Sequence, residues 1–362
     1  MGAREWFEAF AAFEAAGSSP IYEQLSYAIA ADDRLLALIE ALPEPKQQPN
    51  LLLAASQLLG APMGSPPETL EFIHTNWGEV CDVISSHSTQ TNEAARTGAF
   101  LPLLAAVEGP IALIEVGCSA GLCLFPDRYA IAYDETPPVG PADSPVHFAV
   151  KTYGPVPVPT RNIDIAARIG IDLNPLDVRR HEHLSWLDAC IWPEHTERRQ
   201  RLRAAAGLVA SDPPELVRGD AVDALDDVLG SLRRDVTPVV IHSAVLAYLS
   251  PDARAEFSRR VLRHAGTRWL SNEGPGVVST LESSLTPPAD RATAAYFILG
   301  VDGTVAGLSD PHGKWLKWNA PHTQLGPAQR RRPPPAKHQR SASATVYGSP
   351  PSHPKQPRDR HV

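Results

Sequence analysis

Apolar positions in the first third of the chain follow a helical period. Trp6, Phe7, Phe10 and Phe13 lie one to four positions apart, a spacing that gathers them on one helical face. Similar patterns, interrupted by prolines and glycines, continue up to the first clear strand. The pattern therefore predicts a helical N-terminal cap over residues 1–108.

A different pattern begins at Ile111, where the apolar run IALIEV leads into the turn GCSAG, Gly117–Gly121. A continuous apolar run bounded by glycines predicts a fully buried parallel strand. Small residues directly after such a strand let the backbone approach a ligand, and they let a helix begin close to the sheet. We therefore predict a strand, turn and helix that contact a cofactor.

Six further strands are predicted downstream, and the first four of them alternate with helices. They are Ala166–Leu173, Leu216–Asp220, Pro238–Ser243, Thr267–Asn272, Tyr296–Val301 and Thr304–Leu308. The Asp-Gly pair at 302–303 favours a tight hairpin between the last two. Strands that alternate with helices predict an α/β fold. We expect a Rossmann-like, doubly wound, mostly parallel seven-stranded sheet over residues 109–318.

Two segments depart from this alternation. The stretch around residues 126–165 is dense in proline and glycine, and its length predicts an insertion that folds out of the sheet. Pro126 falls inside the helix expected after the turn, where it should kink or shorten that helix. Residues 319–362 are rich in proline and basic side chains; they are predicted to be a disordered tail because they bury too little apolar surface to fold.

Charge is divided unevenly between the tail and the body. Residues 321–362 carry eight Lys or Arg and one acid, a net charge of +7, whereas the whole chain carries −8. The body is therefore left with −15. An acidic body argues against binding to a phosphate backbone, so we expect no nucleic-acid partner for the folded part.

Hydropathy and cysteine usage limit the other classes of function. No apolar run approaches the ~18–20 residues that span a membrane, and the N-terminus lacks a secretory signal. The four cysteines form no C-x-x-C pair, which gives no indication of a zinc site or a disulfide framework. We expect a reduced, cytoplasmic protein with no membrane partner and no metal, and the sequence gives no basis for an oligomeric state.

The residues that could bind a ligand or take part in catalysis lie at the ends of the predicted strands. Glu115 and the turn follow the first strand; Asp172 and Asp220 end the next two; His242 and Glu273 close the fourth and fifth. Ligands in open α/β sheets bind at the carboxyl ends of the strands. This placement predicts a single shared site.

Three ligand classes compete for that site. A dinucleotide is disfavoured because the turn is G-x-S-x-G rather than G-x-G-x-x-G and Asp172 lies far downstream. The same turn matches a nucleophile elbow, with Ser119 attacking an ester and His242 or His312 as base, but the preceding residues read as helical where a hydrolase needs strands. S-adenosylmethionine needs a close turn, an acid for its ribose and a polar group for adenine, which Glu115–Gly121, Asp172 and Asp220 supply in order.

The order EVGCSAG, GIDLNP, RGDA and VVIHSAVLAYL resembles a class I S-adenosylmethionine-dependent methyltransferase. Several stretches together more closely resemble a bacterial family defined by a domain of unknown function, from about Phe7 to Trp318. These stretches are Thr89–Glu93, Asp172–Pro175, Trp192–Arg199, Arg218–Ala221, His242–Leu249, Trp269–Gly276 and Pro311–Trp318.

The methyltransferase resemblance implies roles for particular residues. Four residues, Glu115, Gly117, Ser119 and Gly121, would hold the methionine end of the cofactor. Asp172 would hold the ribose and Asp220 the adenine, while Asn92 would cover the cofactor from the helical side.

Each of these residues also has a structural alternative. Asp172 and Asp220 are suited to capping the helices that follow them, and Ser119 to close packing. His242 is a candidate general base, because an unperturbed histidine titrates near neutrality, but a hydrogen-bonded structural histidine is an equal alternative. Glu273 either positions substrate or holds a loop.

The function predicted from the sequence is S-adenosylmethionine binding by a methyltransferase-like protein that acts on a small-molecule substrate. The alternatives are an esterase that uses Ser119 and a non-catalytic member of the fold.

Overall fold

A ten-stranded sheet forms the centre of the protein, which is described by a computed structural model over residues 2–90, 92–160, 162–282 and 296–319. The strands are β1 Ile111–Val116, β2 Ala130–Tyr133, β3 His147–Tyr153, β4 Ile165–Asp172, β5 Glu215–Arg218, β6 Thr237–Ser243, β7 Arg268–Glu273, β8 Phe297–Val301, β9 Thr304–Ser309 and β10 Trp315–Trp318. Their order is β2-β3-β10-β9-β8-β7-β6-β1-β4-β5. Most neighbouring strands run parallel, and only the pairs around β8 and β9 are antiparallel.

Twelve α-helices lie within the described residues. They are α1 Ala3–Ala9, α2 Pro20–Ala30, α3 Asp33–Glu40, α4 Pro49–Leu58, α5 Pro66–Thr75, α6 Trp77–Ser86, α7 Thr97–Leu104, α8 His181–Ala189, α9 Thr196–Ser211, α10 Ala221–Ser231, α11 Pro251–Arg263 and α12 Ser279–Glu282. A π-helical segment, Phe10–Ala15, continues α1. The described stretch before β1 is thus helical, as its periodicity predicts.

Two hydrophobic cores lie on opposite faces of the sheet. Every residue of β1 is buried, and neighbouring residues on a strand point to opposite faces. Leu113 therefore packs with α7, α8, α9 and the N-terminal helices, whereas Ile114 packs with α10 and α11. The mixed α/β class is confirmed, and helices cover both faces.

The prediction of seven strands is wrong, because β2, β3 and β10 also join the sheet. β2 and β3 come from the insertion and run parallel to each other, and β3 pairs with β10. The expectation that the insertion folds out of the sheet is therefore wrong as well. The stretches Val146–Tyr153 and His312–Trp318 are strand-like in sequence, but the surrounding prolines and glycines favoured an insertion, and nothing local showed that these backbones complete one edge of the sheet.

The predicted hairpin at 302–303 is confirmed. Asp302 and Gly303 have φ values of 49° and 81°, the left-handed pair that a tight primed turn requires. They connect β8 with β9 in antiparallel register.

The helix predicted directly after the Gly117–Gly121 turn is not formed. Two 3-10 turns, Leu122–Leu124 and Pro126–Arg128, lead instead to β2. Pro126 lacks a backbone N–H, so it cannot continue a helix from the turn but suits the start of a new turn.

Residues 1–329 form one compact unit as far as they are described, so a boundary at residue 108 between cap and sheet domain stays a prediction. The predicted tail lies outside the described residues, apart from Asn319. In the described ranges, none of the helices has the length and apolar character needed to cross a membrane.

Candidate functional site

The site lies at the point in the sheet where successive strands stop being placed on one side of β1 and begin to be placed on the other. From β1 the chain adds β4 and β5 on one side, and it then returns to add β6 and β7 on the other. The carboxyl ends of β1 and β6 therefore flank the topological switch point, the usual ligand crevice of an open α/β sheet. The Gly117–Gly121 turn follows β1 there, and the segment Ala244–Leu249 follows β6.

The turn after β1 is built from left-handed residues. Gly117, Ser119 and Gly121 have φ values of 69°, 51° and 72°, a region that suits glycine. The Gly117 and Cys118 amides donate to the Ile171 carbonyl at 2.8 and 3.3 Å. Because these two N–H groups are already bonded to β4, they are not free to hold a pyrophosphate, in agreement with the argument against a dinucleotide.

Asp172 fastens this turn to the end of β4. Its Oδ2 accepts a hydrogen bond from the Ser119 amide at 2.8 Å, and its Oδ1 accepts one from the Asn174 amide at 2.7 Å. A carboxylate has about four acceptor sites, so two such bonds leave room for a ligand hydroxyl. Next to it, Leu173 is 69% exposed.

Val245 covers Gly117. A Cβ placed on Gly117 would lie 2.2 Å from Val245 Cγ2, so the space directly above this glycine is filled. The preceding residue, Ala244, has a φ of 56°, a strained value for a residue with a side chain. A ligand that sits on the turn, as the resemblance implies, requires the segment after β6 to move.

Glu115 is a buried acid at the end of β1, and its Oε2 has no hydrogen-bond partner within the described ranges. Burial raises the pKa of this carboxyl to about 8; the negative charge of Asp172 adds to the rise, whereas the Cys123 thiol and Arg96 oppose it. Glu115 is therefore mostly protonated at neutral pH. Buried polar atoms without partners are rare in proteins.

Two more unpaired polar atoms belong to this region. Ser119 Oγ and Asn92 Nδ2 are buried and lack a partner among the described residues. The other polar atom of Asn92, Oδ1, accepts a hydrogen bond from the Leu122 amide at 3.5 Å. The structure thus brings Asn92 and Asp172 to the same turn as Ser119.

His242 and Glu273 form a buried pair. His242 Nδ1 lies 2.8 Å from Glu273 Oε1, and Trp269 Nε1 donates to His242 Nε2 at 2.9 Å. Both ring nitrogens are therefore engaged, which is the arrangement of a structural histidine. Glu273 Oε1 also accepts from the Val245 and Leu246 amides at 3.1 Å, so it holds the segment that covers Gly117.

Asp220 is exposed and caps α10, since its Oδ1 accepts from the Val222 amide at 2.8 Å. The end of β5 nevertheless adjoins the end of β4, because the Gly219 amide donates to the Asp172 carbonyl at 2.9 Å. Its capping role was one of the two alternatives; a contact with adenine stays a prediction.

The nucleophile-elbow alternative has one supporting feature, the left-handed φ of Ser119. A nucleophile also needs a base within hydrogen-bond reach. Ser119 Oγ contacts no histidine within the described ranges, and the helix that follows an elbow is replaced by 3-10 turns.

Sequence reasoning placed Arg96 on the helical side of the site but missed Arg198 and Arg201. Arg96 is 6% exposed, and its Nε and Nη1 donate to the Pro311 and Ser243 carbonyls at 2.8 and 3.2 Å. Arg198 and Arg201 both contact Glu93. The segments Thr89–Glu93 and Trp192–Arg199 both belong to the family resemblance, but nothing in the sequence indicated that they meet.

Comparison with protein families decides the relationship. The model of a family described as "Uncharacterized protein conserved in bacteria (DUF2332)" matches residues 4–318. The chain belongs to the DUF2332 family. The match covers the whole described sheet and confirms the resemblance to a bacterial family of unknown function. None of the curated proteins compared with the chain matches it, and the methyltransferase resemblance finds no support in these comparisons.

Proposed function

We propose that this DUF2332 protein binds S-adenosylmethionine at the switch point between β1 and β6 and transfers its methyl group to a small molecule. One observation carries the proposal: a tight left-handed turn at this point is accompanied by a buried acid with an unpaired oxygen, Glu115, and a buried cation, Arg96. An amino-acid end, with an ammonium and a carboxylate, suits such a pair.

Different residues of the site bind different parts of the cofactor. Glu115 accepts a hydrogen bond from the ammonium and releases its proton as it does so. Asp172 keeps acceptor capacity for the ribose hydroxyls, and Asp220 lies at the end of the next strand for adenine. Ser119 and Asn92 bring unpaired polar atoms to the turn, while Gly121 and Gly117 keep it tight.

Two exposed apolar side chains suit the rim of such a site. Leu173 and Tyr248 are 69% and 76% exposed, and they follow β4 and β6 at the carboxyl edge of the sheet. Apolar and aromatic groups commonly line small-molecule sites. They are suited to contact adenine or substrate.

The bound cofactor would supply an electrophilic methyl group. The protein would contribute chiefly by holding the acceptor in line with it, because positioning alone accounts for a large part of many rate enhancements. With both ring nitrogens engaged, His242 acts with Glu273 as a positioning residue: the pair fixes the segment containing Val245 rather than taking the substrate's proton.

Calorimetric titration of S-adenosylmethionine into the full chain tests the proposal. We expect a dissociation constant near the micromolar range, about −8 kcal/mol, with proton release detected as a dependence on buffer ionisation enthalpy. Glu115→Gln should remove the proton release and weaken binding. Absence of binding heat, or unchanged binding by Glu115→Gln, would contradict the proposal.

Rim contacts supply a second test with a matched control. Leu173→Ala should weaken binding by a few-fold without changing stability, since the side chain is exposed. Phe13→Ala removes an equally exposed apolar side chain, 86% exposed, from the helical region, and it should leave binding unchanged. Equal effects from both variants would place the ligand elsewhere.

The esterase alternative predicts a different result. Ser119→Ala should abolish ester hydrolysis if Ser119 is a nucleophile, whereas the binding proposal predicts a modest change in affinity alone. The non-catalytic alternative predicts binding of S-adenosylmethionine with no transfer to any acceptor.

A further inference from the structure

Arginines from two separate stretches of chain surround one buried carboxylate on the helical side of the site. Arg198 Nε donates to Glu93 Oε2 and Arg201 Nε donates to Glu93 Oε1, each at 2.8 Å. Glu93 itself is 3% exposed, and the two arginine side chains are 15% and 17% exposed. We call Glu93, Arg96, Arg198 and Arg201 the arginine cluster.

A third stretch closes the arginine cluster. Arg96 donates through Nε to the Pro311 carbonyl at 2.8 Å. The backbone of 311–313 lies directly against this turn, because a Cβ on Gly313 would be 2.2 Å from the Ala95 carbonyl oxygen. His312 is thereby held beside the arginines, and its buried Nδ1 has no partner among the described residues.

The hydrogen bonds within the arginine cluster leave its terminal nitrogens available. Glu93 engages only the Nε of each arginine, and Arg198 Nη1 contacts His195 Nδ1 at 3.2 Å. Over the described ranges, both Nη atoms of Arg201 and the Nη2 atoms of Arg198 and Arg96 make no hydrogen bond to protein. Glu93 therefore fixes two guanidinium groups through Nε, which leaves both Nη atoms of Arg201 and the Nη2 atom of Arg198 for a ligand.

The charges in the arginine cluster do not balance. Three guanidinium groups face one ionised carboxylate, whose pKa is held below its usual range despite burial because Arg198 and Arg201 oppose the effect of desolvation. Glu115 is mostly protonated, and burial, together with Arg198 and Arg96, lowers the pKa of His312 to about 3, so that His312 is neutral. A surplus of two positive charges is left in a body that is otherwise acidic. Buried charge without compensation is costly.

We propose that the arginine cluster binds a dianionic phosphoryl group, either inorganic phosphate or the phosphate of a small molecule. Guanidinium groups present paired N–H donors that match phosphate oxygens, and a dianion balances the surplus that Glu93 leaves. The arginine cluster adjoins the Gly117–Gly121 turn: Arg96 belongs to both regions, and Cys123 Sγ lies 3.5 Å from the Glu93 carbonyl. The inference does not depend on the proposed cofactor, because it is tested without it.

Titration of inorganic phosphate into the full chain, without any cofactor, tests this inference. We expect one phosphate per chain, binding that weakens with added salt, and at least tenfold weaker binding by Arg201→Gln. Arg203→Gln is the matched control, because Arg203 lies on the same helix but is 64% exposed and contacts Asp188. It should bind phosphate like the parent protein. Circular dichroism would verify that both variants fold.

Further arms separate the explanations. Arg201→Lys retains the charge but loses the paired donors, so its affinity should lie between those of the parent and Arg201→Gln. This variant guards against a loss of binding that is caused only by misfolding. No phosphate binding by the parent protein, or equal losses in Arg201→Gln and Arg203→Gln, would overturn the proposal. So would tighter binding of succinate than of phosphate, since it would assign the arginine cluster to carboxylates. None of these results bears on S-adenosylmethionine titration.

Discussion

Two buried glutamates at one site are held in opposite protonation states. Glu93 accepts hydrogen bonds from two arginines, which keep its pKa below its usual range. Glu115 has an unpaired Oε2 and the like charge of Asp172 nearby, so burial raises its pKa to about 8. Both side chains are removed from solvent to a similar degree.

The difference shows that partners, rather than burial alone, decide whether a buried acid is ionised. Glu93 contributes stability above its ordinary pKa, and that stability is lost as pH falls through its lowered folded value. Glu115 has the opposite linkage, because the folded chain retains a proton that the unfolded chain releases. One acid therefore organises the helical side of the site, and the other stands ready to exchange a proton when a cationic group binds.

Removal of the Glu93 charge should have the largest effect. Glu93→Gln leaves Arg198 and Arg201 buried without an anionic partner, and breaking a buried ion pair costs about 3–5 kcal/mol. Urea denaturation at pH 7 measures this loss. Glu182→Gln, which removes an exposed partner of Arg180, should leave stability unchanged; a similarly small loss for Glu93→Gln would mean that the arginine cluster does not need its carboxylate.

Replacement of Glu115 should alter the pH dependence of stability. Between about pH 4.5 and pH 8 the free energy of unfolding attributable to Glu115 should fall by about 1.4 kcal/mol per pH unit, because only the unfolded chain ionises. Glu115→Gln should remove this slope and make the variant more stable than the parent at pH 8. Denaturation curves at several pH values check it, and parallel profiles for the two proteins would refute the raised pKa.

The close packing of Val245 against Gly117 should have a measurable effect on the stability of Gly117→Ala. Gly109→Ala places a side chain at a φ of 77° in open space, which costs about 1–2 kcal/mol. Gly117→Ala adds the contact with Val245 to a similar backbone strain, and overpacking should cost about 1–3 kcal/mol more. Thermal denaturation of the two variants compares them. Equal losses would show that Val245 moves aside freely, as ligand access to the turn requires.

The smallest effect expected is a change in the pKa of Glu115 on replacement of Arg96. Arg96 lowers the pKa of Glu115, so Arg96→Met should raise that pKa by up to about one unit. The upper end of the pH-dependent slope should move correspondingly, while Arg203→Met should leave it in place. A downward movement would mean that Arg96 affects Glu115 only through packing.

Local signals sufficed to predict part of the fold. Adjacent residues alone predict three features that the structure contains: the apolar strand β1, the glycine turn after it and the Asp302–Gly303 hairpin. The alternation of strands and helices likewise predicted the α/β class. Asp172 and Ser119 were placed together correctly because both follow strands that end at the same edge.

Contacts between distant segments could not be read in the same way. Arg198 lies 105 residues after Glu93, and no periodic pattern relates the two. The hydrogen bonds of the two ring nitrogens of His242 depend on Glu273 and Trp269, both on another strand. β2 has only four residues, too few to show an alternation, whereas β3 and β10 look strand-like but carry no local sign that they pair with each other.

The pairing of β3 with β10 has a consequence for synthesis of the chain. Lys151 and Trp315 are register partners, so β3 must wait for the next 164 residues to be made before this edge acquires its neighbour. Open strand edges are templates for aggregation, and long-range pairing is slow to form. A nascent chain stalled before Trp315 would therefore present an unfinished sheet edge to chaperones.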